Sequence, residues 1–119
     1  MSTQTFTVEP IRPGYESRLS VGYQAAYITA LGVDGNNSYR AQFRASKGGT
    51  VLYEATSAAG SIVFDGSGTD PLFNITITAE ASAKMCDEVV FDITVDDTTV
   101  LDGYWCWPVE QSVTQPPAV

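Results

Sequence analysis

The strict alternation of apolar and polar residues over positions 39–45 constrains the fold more than any other feature of the sequence. In YRAQFRA, apolar residues occupy the odd positions and polar residues the even ones. Successive side chains of a β-strand point to opposite faces, so this pattern predicts a strand with one buried face. The opposite face of the same strand carries Arg40 and Arg44.

Similar short segments recur along the chain, and turn residues separate them. The KGG at 47–49 predicts a tight hairpin that leads to a partner strand at 50–56, and the DDTT at 96–99 predicts another turn. Strands about ten residues apart, with Gly, Asp and Asn between them, are typical of an all-β fold, either an antiparallel sandwich or a small barrel. A chain of 119 residues suits a single domain.

The two ends and the middle of the chain carry weaker patterns. TQTFTV, at 3–8, predicts an edge strand with Phe6 on one face, and the segment at 24–38 is compatible with a short helix or a strand. A single helical turn is expected within EASAKMCDE, at 80–88. We therefore expect an extended arm or edge strand at 1–14, a sandwich at 15–114 and a flexible tail at 115–119.

Composition argues against several classes of function. The chain has 14 acidic and 6 basic residues and a formal charge of −8, which opposes binding to nucleic acid. It contains no histidine, so Ser-His-Asp and Cys-His catalysis are excluded, and we expect neither an enzyme nor a metal or other cofactor. The apolar runs are too short for a membrane span, and the first residues lack a secretion signal, which predicts folding in a cytosol. There Cys86 and Cys106 favour two free thiols over a disulfide.

Two acidic regions have a catalytic or metal-binding interpretation that we do not favour. Asp65 to Asp70 places oxygen-bearing residues at alternate positions, as a calcium loop does, but Thr76 stands where the bidentate Glu belongs. The carboxylates between 87 and 102 could form catalytic pairs, yet most fall on polar positions of strands or in a turn. An ordinary loop and a solvated surface explain the two regions more simply.

Candidate interface residues come from three predicted strands. Arg40 and Arg44 could bind carboxylates of a partner, although pairing with Glu54 on the neighbouring strand is the favoured explanation. Trp105 and Trp107 share one face of their strand. This face lies either on the surface, where the indoles together with Tyr104 would bind a protein or a host glycan, or in the core. Phe6 completes the set of candidate interface residues.

Three segments together resemble a family of tailed-bacteriophage proteins. They are the stretch at 39–65 with its Gly-containing hairpin, NITITAEASAKM at 74–85, and the closing hairpin at 89–114 with its Leu101-Asp102-Gly103 bend. They are similar to the amino-terminal domain of phage upper-baseplate proteins. The resemblance runs from Ser38 to Thr114, whereas 15–37 and the Trp-Cys-Trp segment depart from the family pattern.

The resemblance implies an immunoglobulin-like β-sandwich of about seven to nine short strands, with room for one short helical turn. It also implies a non-enzymatic virion protein, made in the host cytoplasm, that docks onto other virion proteins as an oligomer or on a lattice. A tail or baseplate adaptor is the first expectation, and a capsid decoration protein is the second. Apart from the resemblance, Trp105 and Trp107 leave a third alternative open, a carbohydrate-binding module that uses them as a stacking platform.

Overall fold

The computed structural model describes residues 10–101 and 103–110, which form nine strands and two short helices arranged as an antiparallel β-sandwich. The expected all-β sandwich of seven to nine strands is therefore confirmed. TQTFTV, with Phe6, and the tail at 115–119 lie outside the described residues. In chain order the elements are β1 (Ser17–Gly22), α1 (Ala25–Leu31), β2 (Tyr39–Arg44), β3 (Val51–Thr56), β4 (Ile62–Asp65), β5 (Leu72–Ile77), α2 (Ala79–Ser82), β6 (Glu88–Phe91), β7 (Ile93–Val95), β8 (Thr99–Val100) and β9 (Trp105–Pro108).

The smaller sheet has three strands in the order β1-β5-β4, and all of its pairings are antiparallel. In β5 the alternation predicted from sequence places Phe73, Ile75 and Ile77 inside the sandwich. The side chains between them face outward, and there the Ser20 hydroxyl donates a hydrogen bond to the Asn74 carboxamide oxygen at 2.6 Å. This sheet thus has one apolar face and one polar face, as an antiparallel sheet with one solvated side requires.

The larger sheet is built around β2, which pairs with β3 on one side and with β6 and β7 on the other. Strands β6 and β7 are almost collinear, because Asp92 alone separates them. Strands β8 and β9 pair with β7 and β6 respectively. The register of β2 against β3 shifts after Phe43 and leaves Leu52 as an extra residue. Such a bulge increases the local twist, here beside the hairpin at 45–50.

The core lies between the two sheets and is rich in aromatic side chains. Tyr23, which follows β1, contacts Phe73 of the small sheet and Trp105 of the large sheet edge-on, both with ring centroids 5.9 Å apart. The Trp105 indole N–H also donates a hydrogen bond to the Tyr23 hydroxyl at 3.0 Å. A buried polar contact of this kind fixes the distance and the orientation of the two sheets at this point.

The ambiguous segment after β1 is helical. Helix α1 buries Ile28 and ends at Gly32, whose φ of 71° lies in the left-handed region that favours glycine. The expected helical turn after β5 is also present, as α2, and the Thr78 side chain caps it by accepting a hydrogen bond from the Ala81 N–H. Residues 10–101 and 103–110 therefore contain two short helices, one at the expected helical turn and one in the segment that was compatible with a helix or a strand.

Residues 10–14, which precede β1, are tied to the rest of the domain at two points. Ile11 is fully buried and forms a parallel bridge with Val109, since its N–H donates to the Pro108 carbonyl and its carbonyl accepts from the Glu110 N–H. Three residues later, the Gly14 N–H donates to the hydroxyl of Ser82 in α2. Residues 10–14 are consequently part of the packed domain.

Candidate docking surface

The outer face of the larger sheet, opposite the core, collects three of the chain's six basic residues. Arg40 and Arg44 project from β2 on this face, as the alternation predicted, with Gln42 between them. Lys47 lies in the hairpin that follows β2. Glu54, Asp92 and Asp97 lie on the same face, but it holds half of the basic residues of a chain of formal charge −8, and we call it the basic face.

Arg44 is half-buried and is held by neutral partners. One of its guanidinium nitrogens donates to the Gly49 carbonyl, and the other donates to the Gln42 side-chain oxygen at 2.8 Å. The first of these bonds requires the compact hairpin, in which Gly48 has a φ of 80°. Arg44 is therefore fixed in orientation without losing its charge.

Lys47 lies over an aromatic ring. Its ammonium nitrogen is 4.3 Å from the centre of the Tyr104 ring, a cation–π arrangement that neutralises no charge. Tyr104 itself is 45% exposed. Within 10–101 and 103–110, neither Lys47 nor Arg44 forms an ion pair with a carboxylate.

Arg40 behaves differently from Arg44, because carboxylates flank it on two sides. Its guanidinium lies 3.7 Å from the Glu54 carboxylate and 3.2 Å from that of Asp97. The pairing of Arg40 with Glu54 within the sheet, which the sequence favoured, is confirmed. The equivalent pairing for Arg44 is absent from the described part of the chain, so the basic face has a compensated end and an uncompensated end.

The basic face is concave. A groove of about 420 Å³ runs between the β2–β3 hairpin and the bend before β9, and Arg44, Lys47 and Tyr104 line it. A second depression of about 360 Å³ adjoins it and is lined by Arg40 and Asp97 among others. Gln42 and Asp92 line both depressions, which makes them neighbouring parts of one surface.

The tryptophans predicted as alternative surface anchors belong to the core. Trp105 is 2% exposed and Trp107 1% exposed, whereas Cys106 between them is exposed. The register with β6 explains this, because Trp105 and Trp107 lie opposite the inward-facing Phe91 and Val89. The prediction that they are surface anchors is wrong, and so is the prediction of a glycan platform, which required exposed indoles.

The remaining sequence candidates have ordinary structural roles. Asp65 accepts hydrogen bonds from both the N–H and the hydroxyl of Ser67, which lower the pKa of its carboxyl group. The described residues contain no group of three or more acidic or cysteine side chains that could hold a metal ion. Cys86 and Cys106 are free, exposed thiols.

The turn between β7 and β8 holds the polar loop that precedes β2. Asp96, at a φ of 52°, accepts a hydrogen bond from the Ser38 N–H at 2.8 Å and another from the Asn37 side chain at 2.7 Å. Both bonds lower the pKa of Asp96, the Ser38 bond most strongly. Nearby, burial and then the charges of Asp34 and Asp96 raise the pKa of Tyr39 to about 12. The Asp96 carboxylate therefore stabilises the loop before β2.

Sequence reasoning missed Lys47, Asp92 and the concavity itself. KGG was used as a turn signal alone, although the same signal brings a lysine to the end of the strand that carries Arg44. The alternation placed Asp92 on the polar side of its strand, opposite Phe91 and Ile93, but Asp92 was interpreted only as part of a solvated surface. Nothing in the sequence marks Tyr104 as the neighbour of Lys47, since 56 residues lie between them.

Comparison of the chain with protein-family models, with curated proteins and with solved structures finds no match. In the described part of the chain, no helix has the length and apolar character needed to cross a membrane.

Proposed function

We propose that the protein is a non-enzymatic structural component of a bacteriophage virion, and that it acts as a tail or baseplate adaptor by docking onto neighbouring subunits. Two independent considerations support the proposal. One is the resemblance of 38–114 to the immunoglobulin-like domain of phage upper-baseplate proteins. The other is the basic face, which offers a concave surface on a rigid sheet.

The open end of the basic face is the observation that carries the docking role. Arg40 is compensated by the carboxylates of Glu54 and Asp97. Arg44 and Lys47 are held in place by a carbonyl, an amide and an aromatic ring. Their charges are thus available to a partner, and complementary charge across an interface governs its specificity and its rate of assembly.

Immunogold labelling of intact virions, with an antibody raised against this chain, tests the location. Gold at the tail tip is the expected result. Gold spread over the head would replace the adaptor by the capsid decoration protein, and unlabelled particles that also lack the chain by mass spectrometry would remove the virion role. A matched labelling of particles from a host that carries an unrelated phage controls for nonspecific binding of the antibody.

A further inference from the structure

We infer that the groove of the basic face binds an extended, carboxylate-bearing peptide segment of a neighbouring protein, with its acidic side chains at Arg44 and Lys47. This inference rests on the docking role proposed above and names the chemistry of the partner. Three properties of the groove point to that partner: the fixed cations, the dimensions and the charge of the surrounding surface.

The two cations are arranged for carboxylates. Arg44 uses one donor on each terminal nitrogen for Gly49 and Gln42, and a guanidinium has five donors in all, so further N–H groups remain for an incoming oxygen. Because these internal bonds hold the guanidinium, its ordering cost on binding is small. Lys47 supplies a second positive charge at the rim, above the Tyr104 ring. Together they can receive one carboxylate or two successive ones.

The shape of the groove suits a single extended chain. Its volume of about 420 Å³ falls at the lower end of the range for a pocket that encloses a small molecule, yet the groove is an open channel on a sheet face. The adjoining depression at Arg40 and Asp97 prolongs the channel along β2. A peptide that crosses both can stack an apolar or aromatic side chain on the exposed Tyr104 ring.

Asp92 adds polarity to the channel. It is half-buried where the two depressions meet, and it has no hydrogen-bond or ion-pair partner within the described ranges. A peptide supplies backbone N–H groups that can donate hydrogen bonds to the Asp92 carboxylate, whereas a bare anion supplies no donor. The combination of two cations and one available acceptor therefore favours a peptide over a simple anion.

The overall charge of the protein disfavours a nucleic acid in the same groove. A polyanion that runs past Lys47 meets a chain of formal charge −8, and its phosphates that lie beyond Arg44 and Lys47 are repelled by the carboxylates of the surrounding surface. A short acidic segment places its charge only where the two cations stand. We therefore expect the groove to bind a short acidic peptide more tightly than a nucleic acid.

Fluorescence polarisation with purified protein tests the inference. The probe is a fluorescein-labelled decapeptide of Gly and Ser with Glu at two alternate positions and one Tyr, and its partner probe carries Gln in place of both Glu residues. We expect the Glu peptide to bind about tenfold more tightly than the Gln peptide, and its affinity to fall as salt is raised. Lys47→Gln should weaken the binding of the Glu peptide about fivefold.

Lys84→Gln is the matched control, because Lys84 is exposed and lies near α2, away from the groove; its affinity should equal that of the unchanged protein. Arg44→Lys provides a second variant that keeps the charge but loses the two-nitrogen geometry, and it should bind between the unchanged protein and Lys47→Gln. Melting temperatures of all variants verify that each one folds.

The inference is overturned if the Glu and Gln peptides bind equally, if neither binds at millimolar concentration, or if Lys84→Gln weakens binding as much as Lys47→Gln. Tighter binding of a dT decamer than of the Glu peptide would also overturn it, in favour of nucleic acid. These results are independent of the virion labelling: gold at the tail without peptide binding removes the acidic partner, whereas peptide binding without labelled particles removes the virion role.

Discussion

Replacement of Ser82 by alanine should destabilise the domain more than its small change in volume suggests. Ser82 is fully buried. Its hydroxyl oxygen accepts from the Gly14 N–H at 3.1 Å, and its proton is within reach of the Tyr15 carbonyl at 2.7 Å and the Ala79 carbonyl at 3.0 Å. A hydroxyl has one proton, so two hydrogen bonds exist at a time, and alanine removes both.

The magnitude follows from those two bonds. Each intramolecular hydrogen bond contributes about 1 kcal/mol net, and Ser82→Ala should therefore lower the free energy of unfolding by about 2 kcal/mol. The unfolding entropy of a chain of 119 residues is about 250 cal/mol/K, so the melting temperature should fall by about 8 °C.

Urea denaturation followed by tryptophan fluorescence measures this change, because Trp105 and Trp107 are both buried in the folded domain. Ser20→Ala is the control. Its hydroxyl makes one exposed hydrogen bond, to Asn74, and the variant should remain within about 0.5 kcal/mol of the unchanged protein. If Ser82→Ala costs no more than Ser20→Ala, the hydroxyl does not anchor the segment before β1, and the reasoning fails.

Three further predictions concern ionisation and backbone conformation. Hydrogen bonds lower the folded pKa of Asp96 from 3.8, so the stability that they provide is present above pH 3.8 and is lost as the pH falls through the folded pKa. Asp96→Asn should therefore lose less stability in acid, which urea denaturation midpoints measured at several pH values would show. The pKa of Tyr39 is raised from 10.0 to about 12, so stability should decline as the pH rises between these values, and Tyr39→Phe should flatten that decline in the same assay. Gly32→Ala places a side chain at a φ of 71° and should lower the free energy of unfolding by about 1 kcal/mol. Gly68 has no positive φ, so Gly68→Ala is the control and should leave the melting temperature unchanged. Equal effects of the two substitutions would contradict the conformational argument.

Much of the sandwich could be predicted because period-two alternation reports directly which residues share a face. The pattern identified β2 and β5 with their inward residues, and glycine-containing turns identified the hairpin between β2 and β3. Alternation does not decide between helix and strand in a short apolar segment, which is why 24–38 remained ambiguous. Helix α1 is the outcome there, and its end at Gly32 was the available signal.

The orientation of β9 could have been decided from the sequence with one further step. Trp105 and Trp107 continue in period two to Val109, while the opposite positions hold Cys106, Pro108 and Glu110. A face that ends in a proline and a glutamate belongs in solvent, so the indoles belong in the core. The groove was beyond this kind of reasoning, because Lys47 and Tyr104 meet only through the pairing of distant strands.

The parallel bridge between Ile11 and Val109 has a mechanical consequence. Since the two segments run in the same direction, Pro10 and Glu110 lie at opposite ends of this contact. Tension applied through Pro10 and Glu110 would act along the strands and load the bonds from Ile11 to Pro108 and from Glu110 to Ile11 together, in shear, instead of peeling them apart in sequence. A domain inserted into a strained assembly through these two points would resist extension first at this contact.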